Sequence, residues 1–357
     1  MPLTAEVIVV GAGVIGLCTA TALARLGIKV ALVGERRSGE ASPAAAGMLA
    51  PSVERAFGPA HDFAIAARDL YPAWLDELAS ATGVHVALNR RGVLQIAVTE
   101  NGVKGLRKSA LPHTEWLTRD ELIRLEPWCS HALGAVFSPD DGAVDNVSLL
   151  RALEVFVSGS SYAKRISGRA VSVQPHSSGS RVMIEGGETV DAWVVVLAPG
   201  AWGAELAGAP CLRSVVPVRG QLVAYQGIAL GHVVYGPRGY LVPRENAVTI
   251  AGSTMEHVGF DAGTTIEGIA RVRSAAEEIA PLLATAPVAS TWAGLRPVTP
   301  DMLPLLGPAT DDPSLIYACG HSRNGILLAP LTGEVVSSIV AGKPLKYDLS
   351  QFRPDRF

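Results

Sequence analysis

The sequence predicts an α/β protein, and an ordered set of features near its start carries this prediction. An apolar, β-branched run at 7–10 (VIVV) is typical of a buried strand. The glycine-rich turn GAGVIG at 11–16 follows at once, and an Ala-rich helix is expected at 17–26. A second predicted strand at 29–33 then leads to an acidic residue, Glu35. Strand, glycine turn, helix, strand and acid in this order are typical of a dinucleotide-binding βαβ unit.

Each glycine of the turn has an expected role beside a pyrophosphate. Gly11 permits the tight turn, Gly13 lets the backbone approach the phosphates, and Gly16 lets the helix pack closely on the strand. The helix N-terminus offers N–H groups and a partial positive charge. Glu35 can accept hydrogen bonds from ribose hydroxyls, which disfavours NADP and leaves NAD and FAD as candidates. The alternative is a turn that needs small residues only for packing, but it leaves Glu35 unexplained.

The composition indicates a large, well-packed protein. A chain of 357 residues predicts two domains, or one large α/β unit with an insertion. Hydrophobic residues make up 48% and charged residues only 18%, which favours a large core over disorder. The net charge of −3, with no basic block, argues against binding to nucleic acid or to an anionic membrane.

No apolar run approaches the roughly 18 residues of a transmembrane helix. The N-terminus does not resemble a signal peptide, because its apolar segment is the glycine-bearing strand itself. We therefore expect a cytoplasmic protein. The four cysteines fit neither a zinc spacing nor a disulfide framework, so no metal site is predicted and the thiols are expected to be buried. They are Cys18, Cys129, Cys211 and Cys319.

The rest of the chain alternates helical and strand patterns without an internal repeat. Residues 36–43 are predicted to form a loop. The small residues at 44–51 either lie against something flat or begin a helix, and the residues alone leave both alternatives open. Asn146 is predicted to N-cap a helix beginning at Val147. Other expected elements are helices at 60–82, 266–283 and 327–340, two strands within 84–98, a strand and a helix within 115–125, a strand pair around 135–142, β-structure within 169–198 and 212–255, a Pro/Gly-rich loop at 291–307, a strand at 315–318 and a glycine turn at 320–325.

The apolar run at 193–198 has the pattern of a strand buried on both faces, as in a parallel sheet with helices outside. It returns the chain to the first sheet. We therefore expect domains that interleave, with several crossings between them.

Ordered motifs along nearly the whole chain identify a resemblance. The sequence resembles the D-amino-acid oxidase superfamily of flavoenzymes, and within it the glycine oxidases of thiazole (thiamine) biosynthesis. Beside GAGVIG and Glu35, the motifs that carry the resemblance are SPAAAGMLAP (42–51), VVLAPGAW (195–202), PVRGQ (217–221), GYLVPR (239–244), WAGLRPVTPDMLPLLG (292–307) and CGHSRNGILLAPLTG (319–333).

The resemblance implies a Rossmann-like FAD-binding domain with a mostly parallel sheet, interleaved with an α+β substrate domain whose sheet is mostly antiparallel. The implied FAD-binding domain comprises 1–82, 140–212 and 288–357, and the substrate domain 83–139 and 213–287. The FAD is expected to be non-covalent, because Cys319 matches no attachment motif. The implied cofactor-binding residues are Gly11, Ala12, Gly13, Val14, Ile15, Gly16, Glu35, Arg36, Ala45, Ala46, Gly47, Met48, Val171, Ala198, Gly200, Trp202, Gly320, His321, Arg323, Asn324, Gly325 and Ile326.

The resemblance also implies an amino-acid substrate. Arg296 matches the arginine that binds the substrate carboxylate, for which a planar bidentate cation is suited; the alternative is a surface arginine. Tyr240 matches an active-site tyrosine that bonds the same carboxylate, and Met255 a residue lining the pocket, although core packing would explain either. The backbone carbonyl of Arg323 is expected near the substrate amine. His321 is expected to be a turn residue bonded to backbone and not a catalytic base.

The implied reaction is oxidation of a small amino acid, glycine first, with sarcosine and small D-amino acids as alternatives. Hydride moves from Cα to flavin N5, and O2 reoxidises the flavin to give H2O2. The imine hydrolyses, and glycine gives glyoxylate and ammonia. There are two competing hypotheses. One is a dehydrogenase that passes electrons to a quinone or carrier, and the other is a non-enzymatic flavin-binding protein. A homo-oligomer is expected.

One position departs from the glycine oxidase pattern. Arg238 stands two residues before Tyr240, where a histidine is expected. A second cation at the pocket mouth could favour another substrate, such as a secondary or acidic amino acid. A solvated turn arginine is the simpler explanation, and we favour it.

Overall fold

The computed structural model describes residues 3–54, 56–176, 179–245 and 247–357. Within them the strands form three sheets, which we call A, B and C. The strands are β1 (Leu3–Val10), β2 (Val30–Val33), β3 (Met48–Leu49), β4 (Leu88–Asn89), β5 (Val93–Ala97), β6 (Glu115–Thr118), β7 (Gly134–Ser138), β8 (Gly142–Val144), β9 (Ala163–Ile166), β10 (Ala170–His176), β11 (Gly179–Ile184), β12 (Thr189–Leu197), β13 (Val216–Gln226), β14 (Val233–Tyr235), β15 (Tyr240–Arg244), β16 (Val248–Gly252), β17 (Val288–Val298), β18 (Leu305–Pro308) and β19 (Leu315–Cys319).

The helices pack mostly outside these sheets. They are α1 (Val14–Arg25), α2 (Ala41–Ala44), α3 (Pro51–Glu54), α4 (Pro59–Thr82), α5 (Glu100–Ser109), α6 (Arg119–Leu125), α7 (Asn146–Gly159), α8 (Ile266–Ile279) and α9 (Gly325–Val340). Short 3₁₀ segments lie at Pro127–Cys129, Gly200–Glu205, Pro210–Ser214, Pro281–Ala284 and Ser350–Phe352. In the part of the chain described, no helix has both the length and the apolar character that crossing a bilayer requires.

Sheet A is the mostly parallel sheet that the sequence predicts. Its path is β10-β11-β12-β1-β2-β9, with β19 beside β12 and β18 beside β19. The pairs β1–β12, β1–β2, β2–β9 and β12–β19 are parallel. Alternate residues of β1 enter two different hydrophobic clusters, one on each face, so both faces are covered. The predicted buried strand at 193–198 is β12, although Trp193 is 63% exposed.

Sheet B follows the order β17-β13-β16-β15-β14-β5-β7-β6 and is antiparallel except between β14 and β5. The α/β class, with one mostly parallel and one mostly antiparallel sheet, is therefore confirmed. Residues 288–298 form β17 of sheet B, although the sequence division places them in the FAD-binding domain.

The prediction of a loop at 291–307 was right only for 299–304, which connect β17 to β18, and wrong for the strands on either side. Strand β17 pairs with β13 from Val216↔Val298 to Tyr225↔Val288, and Gly220 stands opposite Gly294. A Cβ at Gly294 would lie 2.5 Å from the Cβ of Ala44. The glycine therefore marks a close approach of the strand to another segment and not a loop.

Several local predictions also need correction. Strands β7 and β8 do not pair with each other: β7 joins sheet B, and β8 pairs with β3 and β4 in the three-stranded sheet C. The helix expected from Val147 begins one residue earlier, because Asp145 is the N-cap and accepts from the Val147 and Ser148 amides. Asn146 donates instead to the carbonyls of Ser42 and Pro43.

Other element boundaries also differ from those predicted from the sequence. The predicted loop at 36–43 contains the start of α2, and α8 ends at Ile279 where a 3₁₀ segment takes over. Helix α5 was not predicted, because its two glycines, Gly102 and Gly105, weaken the helical pattern and none of its residues is fully buried. The helix predicted at 60–82 is α4, which Gly83 ends in a left-handed conformation as expected.

Candidate functional site

A cleft of about 440 Å³ lies where sheet A faces sheet B. Most of the cofactor and substrate residues suggested by the sequence line it. These are Gly11, Ala12, Gly13, Val14, Ile15, Glu35, Ala45, Ala46, Gly47, Met48, Ala198, Gly200, Trp202, Tyr240, Met255, Arg296, Gly320, His321, Arg323, Gly325 and Ile326. Four suggested residues do not: Gly16, Arg36, Val171 and Asn324.

The glycine turn after β1 forms one end of the cleft, which we call the cofactor end. Gly11 has φ +105°, and a Cβ there would lie 2.1 Å from the carbonyl oxygen of Ala198. A Cβ at Gly16 would lie 1.8 Å from the Gly11 carbonyl oxygen, so Gly16 serves packing, as predicted, and stays outside the lining. The hydroxyl of Ser42 accepts from the Val14 amide at 3.0 Å in the first turn of α1. Ser42 was not singled out by the sequence.

The segment after β2 carries the acidic residue. Glu35 is exposed and lines the cleft. Arg36 points elsewhere and pairs with Glu40 and Glu154, so Arg37 is the arginine of this segment in the lining. The Arg37 guanidinium carbon lies 4.3 Å from the centroid of the Trp202 ring. This cation–π contact brings the loop after β2 against the segment after β12.

Val171 also lies behind the cleft surface. Its carbonyl accepts from the Ala207 amide at 3.0 Å, while the three residues before it, 168–170, reach the lining. Trp202 stacks on Phe260 with ring centroids 6.4 Å apart and planes 10° apart. Phe260 comes from the loop after β16, so a ring from the sheet B side packs against the cofactor end.

The Ala-rich stretch combines both alternatives that the sequence left open. Its first residue, Ala44, ends the short helix α2, and residues 44–48 form a wall of the cleft. Arg244 donates to the Ala46 carbonyl at 2.7 Å and to Asn146 at 3.0 Å. The indole of Trp292 donates to the Ala44 carbonyl at 3.0 Å. Burial lowers the pKa of Arg244. Its guanidinium donors are used in the hydrogen bonds to this wall. The wall is thus held by two side chains of sheet B.

The glycine turn before α9 faces the same cleft. His321 is buried, and its Nε2 lies 3.1 Å from the Thr332 hydroxyl. Burial lowers the His321 pKa to about 3, so the ring is neutral near pH 7. The His321 side chain bonds a hydroxyl of α9, whereas the sequence had suggested a bond to backbone. Asn324 is the N-cap residue of α9 and stays outside the lining. Cys319 is buried, and burial raises its pKa to about 12.

The opposite end of the cleft, which we call the substrate end, is built around Arg296. The guanidinium donates to the Ser253 hydroxyl at 2.6 Å and to the Thr254 carbonyl at 3.1 Å. It lies over Gly220 of β13, where a Cβ would come within 2.1 Å of Nη1. The PVRGQ glycine therefore leaves the space that the WAGLRP arginine occupies.

Arg296 differs from the other arginines of the lining in its ion pairing. Each of the other arginines in the lining has a carboxylate partner: Arg37 pairs with Glu205, Arg169 with Glu185 and Glu205, Arg238 with Glu278, and Arg323 with Glu54. Among the residues that the structure describes, Arg296 is the lining arginine without such a partner. Its charge remains available to an anion.

Two aromatic rings connect Arg296 to a second charged group. Tyr240 stands beside Gly252, where a Cβ would lie 2.5 Å from the Tyr240 hydroxyl. The rings of Tyr240 and Tyr235 are 5.6 Å apart. Tyr235 donates to Glu54 at 3.0 Å, and Arg323 pairs with the same carboxylate. Neither Tyr235 nor Glu54 was identified from the sequence. Glu54 follows the SPAAAGMLAP motif closely, but only folding brings it to Tyr235.

The chain belongs to the DAO family of FAD dependent oxidoreductases. That family matches residues 6–339. The chain is 34% identical over 370 residues to the bifunctional protein ThiO/ThiG of Synechocystis sp., covering 100% of this chain and 55% of that protein. It is 33% identical over 361 residues to glycine oxidase of Geobacillus kaustophilus, covering 97% of this chain and 96% of the relative. The chain thus spans about half of the bifunctional relative and nearly all of the glycine oxidase.

Solved structures agree with this assignment. The crystal structure of glycine oxidase from Geobacillus kaustophilus superposes with a TM-score of 0.92 at 33% identity, covering 99% of each chain. Iminodiacetate oxidase from Chelativorans sp. BNC1 superposes with a TM-score of 0.89 at 26% identity, covering 98% of each chain.

The residues present fit FAD, the cofactor of this family of oxidoreductases. The backbone at Gly11 and Gly13 forms a concave surface that side chains would fill, and the N-terminus of α1 opens onto it. The Glu35 carboxylate stands at the end of β2, where a ribose is bound in Rossmann-type sites.

Arg238 behaves as the turn arginine that we favoured. Its side chain is 58% exposed and donates to Glu278 at 2.7 Å and to Ser274 at 3.3 Å. It lines the mouth of the cleft with its charge already paired.

Proposed function

We propose that this FAD-dependent oxidoreductase is an amino-acid oxidase whose substrate is a small monocarboxylic amino acid, glycine first. The observation that carries the proposal is the guanidinium of Arg296, which is oriented by Ser253 and Thr254 and lacks a carboxylate partner. A guanidinium in a partly desolvated cleft is suited to bind one carboxylate through two parallel hydrogen bonds.

The side chains of the cleft would bind and orient the substrate. Arg296 holds the carboxylate, and the Tyr240 hydroxyl, on strand β15 of the same sheet, adds a donor to it. When bound, FAD accepts a hydride from the substrate Cα and returns the electrons to O2. A protein base is not needed for this step, because the lone pair of the free amine assists loss of the hydride. The neutral His321, bonded to Thr332, agrees with a structural role.

The expected products from glycine are H2O2, glyoxylate and ammonia. Similarity to the bifunctional ThiO/ThiG protein supports a place in the thiazole branch of thiamine biosynthesis, where the imine could be used directly. Similarity to glycine oxidase over nearly its whole length supports the glycine substrate.

The test is a peroxide assay on the FAD-loaded protein with glycine, sarcosine, D-alanine, D-proline and D-glutamate. We expect the highest kcat/KM with glycine or sarcosine, and stoichiometric peroxide. Anaerobic reduction by glycine followed by rapid mixing with O2 or with a soluble quinone separates an oxidase from a dehydrogenase. Reduction without reoxidation by O2 would refute the oxidase, and no reduction by any amino acid would refute the substrate class.

A further inference from the structure

The charge pattern of the substrate end limits what it can bind. Arg296 lacks a carboxylate partner in the described chain, whereas Arg323 and Arg238 are paired with Glu54 and Glu278. Arg323 is 41% exposed, so its guanidinium is within reach of a ligand in the cleft. Its pairing with Glu54 therefore decides whether the site presents one available cation or two.

Glu54 is held firmly in place. Its side chain is only 8% exposed, and the Tyr235 hydroxyl donates to its Oε1. Glu54 ends the short helix α3, whose Ser52 amide donates to the buried carboxylate of Asp141 at 3.1 Å. Arg68 in turn donates to Asp141 at 2.9 Å. These contacts fix α3, so the Glu54 charge cannot withdraw from the cleft without breaking them.

The Glu54 pair and Arg296 belong to one continuous surface. From Glu54 the contacts run through Tyr235 to Tyr240, which packs beside Gly252, and the next residue, Ser253, bonds Arg296. A small substrate anchored at Arg296 would therefore extend along the two tyrosine rings toward Glu54.

We propose that the Glu54–Arg323 ion pair makes this enzyme selective for amino acids with a single carboxylate and excludes N-carboxymethyl, dicarboxylic ones. This inference rests on the proposed function. A second carboxylate must either compete with Glu54 for Arg323 or lie beside the Glu54 charge. Like-charge contact of this kind is an efficient way to reject a competing ligand. Without the Glu54 charge, Arg323 becomes a second binding site for a carboxylate.

The test is Glu54→Gln, which keeps the shape of the side chain and an acceptor for Tyr235 while removing the charge. Two non-oxidisable ethers serve as probes: methoxyacetate, with one carboxylate, and diglycolate, with two. Their Kd values are measured from the perturbation of flavin absorbance in the FAD-loaded protein. We expect Glu54→Gln to improve diglycolate binding about tenfold or more relative to methoxyacetate, as a new hydrogen bond between charged groups would do. Turnover of iminodiacetate relative to glycine should rise in the same direction.

Two further variants identify the cation responsible. Glu278→Gln unpairs Arg238 in the same way and should leave the diglycolate preference within about twofold of the wild type, since Arg238 is more exposed. Adding Arg323→Ala to Glu54→Gln should abolish the gain. A gain that appears with Glu278→Gln, or that survives Arg323→Ala, would overturn the role of this pair.

The two proposals fail in distinguishable ways. If methoxyacetate binds the wild type but not Arg296→Ala, and Glu54→Gln leaves the diglycolate preference unchanged, the selectivity inference is wrong and the carboxylate site stands. If neither probe perturbs the flavin in any variant, the proposed carboxylate site itself is wrong.

Discussion

The two ends of the cleft are lined by different kinds of groups. The cofactor end is mostly backbone and small residues, such as the turn at 11–13 and the wall at 44–48. The substrate end is made of charged and aromatic side chains from distant segments, among them Glu54, Tyr240 and Arg296. A substitution at the cofactor end should therefore weaken FAD binding, whereas one at the substrate end should lower kcat/KM.

This contrast follows from what each ligand offers. Phosphates and a flat ring system are recognised when backbone N–H groups approach closely, which only small residues allow. A small amino acid offers a carboxylate and an amine but little surface, so its recognition depends on a few oriented polar groups. Adding volume at the substrate end and removing a charge at the cofactor end therefore test whether the two ends bind different ligands.

The largest effect is expected from Arg296→Ala. It leaves the substrate carboxylate in the cleft without its cation, and losing such a contact costs about 3–5 kcal/mol. We expect kcat/KM to fall several hundred- to several thousand-fold. FAD content, measured by absorbance after denaturation, should be unchanged. Arg296→Lys should restore only part of the activity, because a point charge cannot replace the planar fork.

The control for Arg296 is Arg238→Ala. Arg238 is exposed and already paired with Glu278, so its removal should be mild with glycine. Near-normal kcat/KM in Arg296→Ala together with a large loss in Arg238→Ala would mean that the carboxylate binds the other arginine.

A smaller effect at the substrate end is expected from a single added methyl group. In Gly220→Ala the new Cβ would meet Nη1 of Arg296 at 2.1 Å, so the guanidinium must move. We expect KM for glycine to rise about tenfold with FAD content unchanged, because binding depends on orientation. Gly105→Ala in the exposed helix α5 is the matched control, since nothing lies within 4 Å of its new Cβ. Equal kinetics in the two variants would contradict the assigned position of Arg296.

At the cofactor end, Glu35→Ala is expected to weaken FAD binding about tenfold through loss of charge-assisted hydrogen bonds to the ribose. The measurement is flavin fluorescence released on dilution. Once reloaded with FAD, the variant should have kcat/KM close to that of the wild type, which is the reverse of Arg296→Ala. A fall in kcat/KM with full FAD occupancy would place Glu35 in substrate binding and break the division between the two ends.

The same contrast explains which parts of the fold and of the site could be predicted from the sequence. The turn at 11–16 and the first two strands are local, so the sequence predicted that βαβ unit correctly. Strand β17 was mistaken for a loop because its glycine and proline serve contacts to Ala44 and β13 that the local pattern does not contain. Glu54 and Tyr235 were missed for the same reason, since they meet only after folding.

The resemblance located Arg296 and Tyr240 but not their surroundings. It also suggested Arg36, whose neighbour Arg37 lines the cleft instead. Adjacent residues in an irregular loop point in directions that spacing alone does not determine. The pairing of every other lining arginine could not be read from the motifs, because each partner comes from another segment.

The smallest expected effect concerns His321, the buried residue of the turn before α9. Its pKa is about 3 in the folded protein and near 6.5 when unfolded. Well above pH 6.5 neither state is protonated. As the pH falls below 6.5 the unfolded state gains a proton that the folded state cannot accept, so stability is lost progressively down to about pH 3. At pH 5.5 this amounts to about 1.4 kcal/mol.

His321→Gln should remove this loss while keeping a polar partner for Thr332. The fall in Tm of the FAD-loaded protein between pH 7.5 and 5.5 should then be smaller than in the wild type by roughly 2 °C. His85→Gln is the control, since His85 is exposed. The pH profile of kcat should keep its shape in His321→Gln, because the ring is neutral in the working range and transfers no proton. A profile that loses an ionisation in this variant would make His321 a catalytic acid or base, and the purely structural role of the turn before α9 would be wrong.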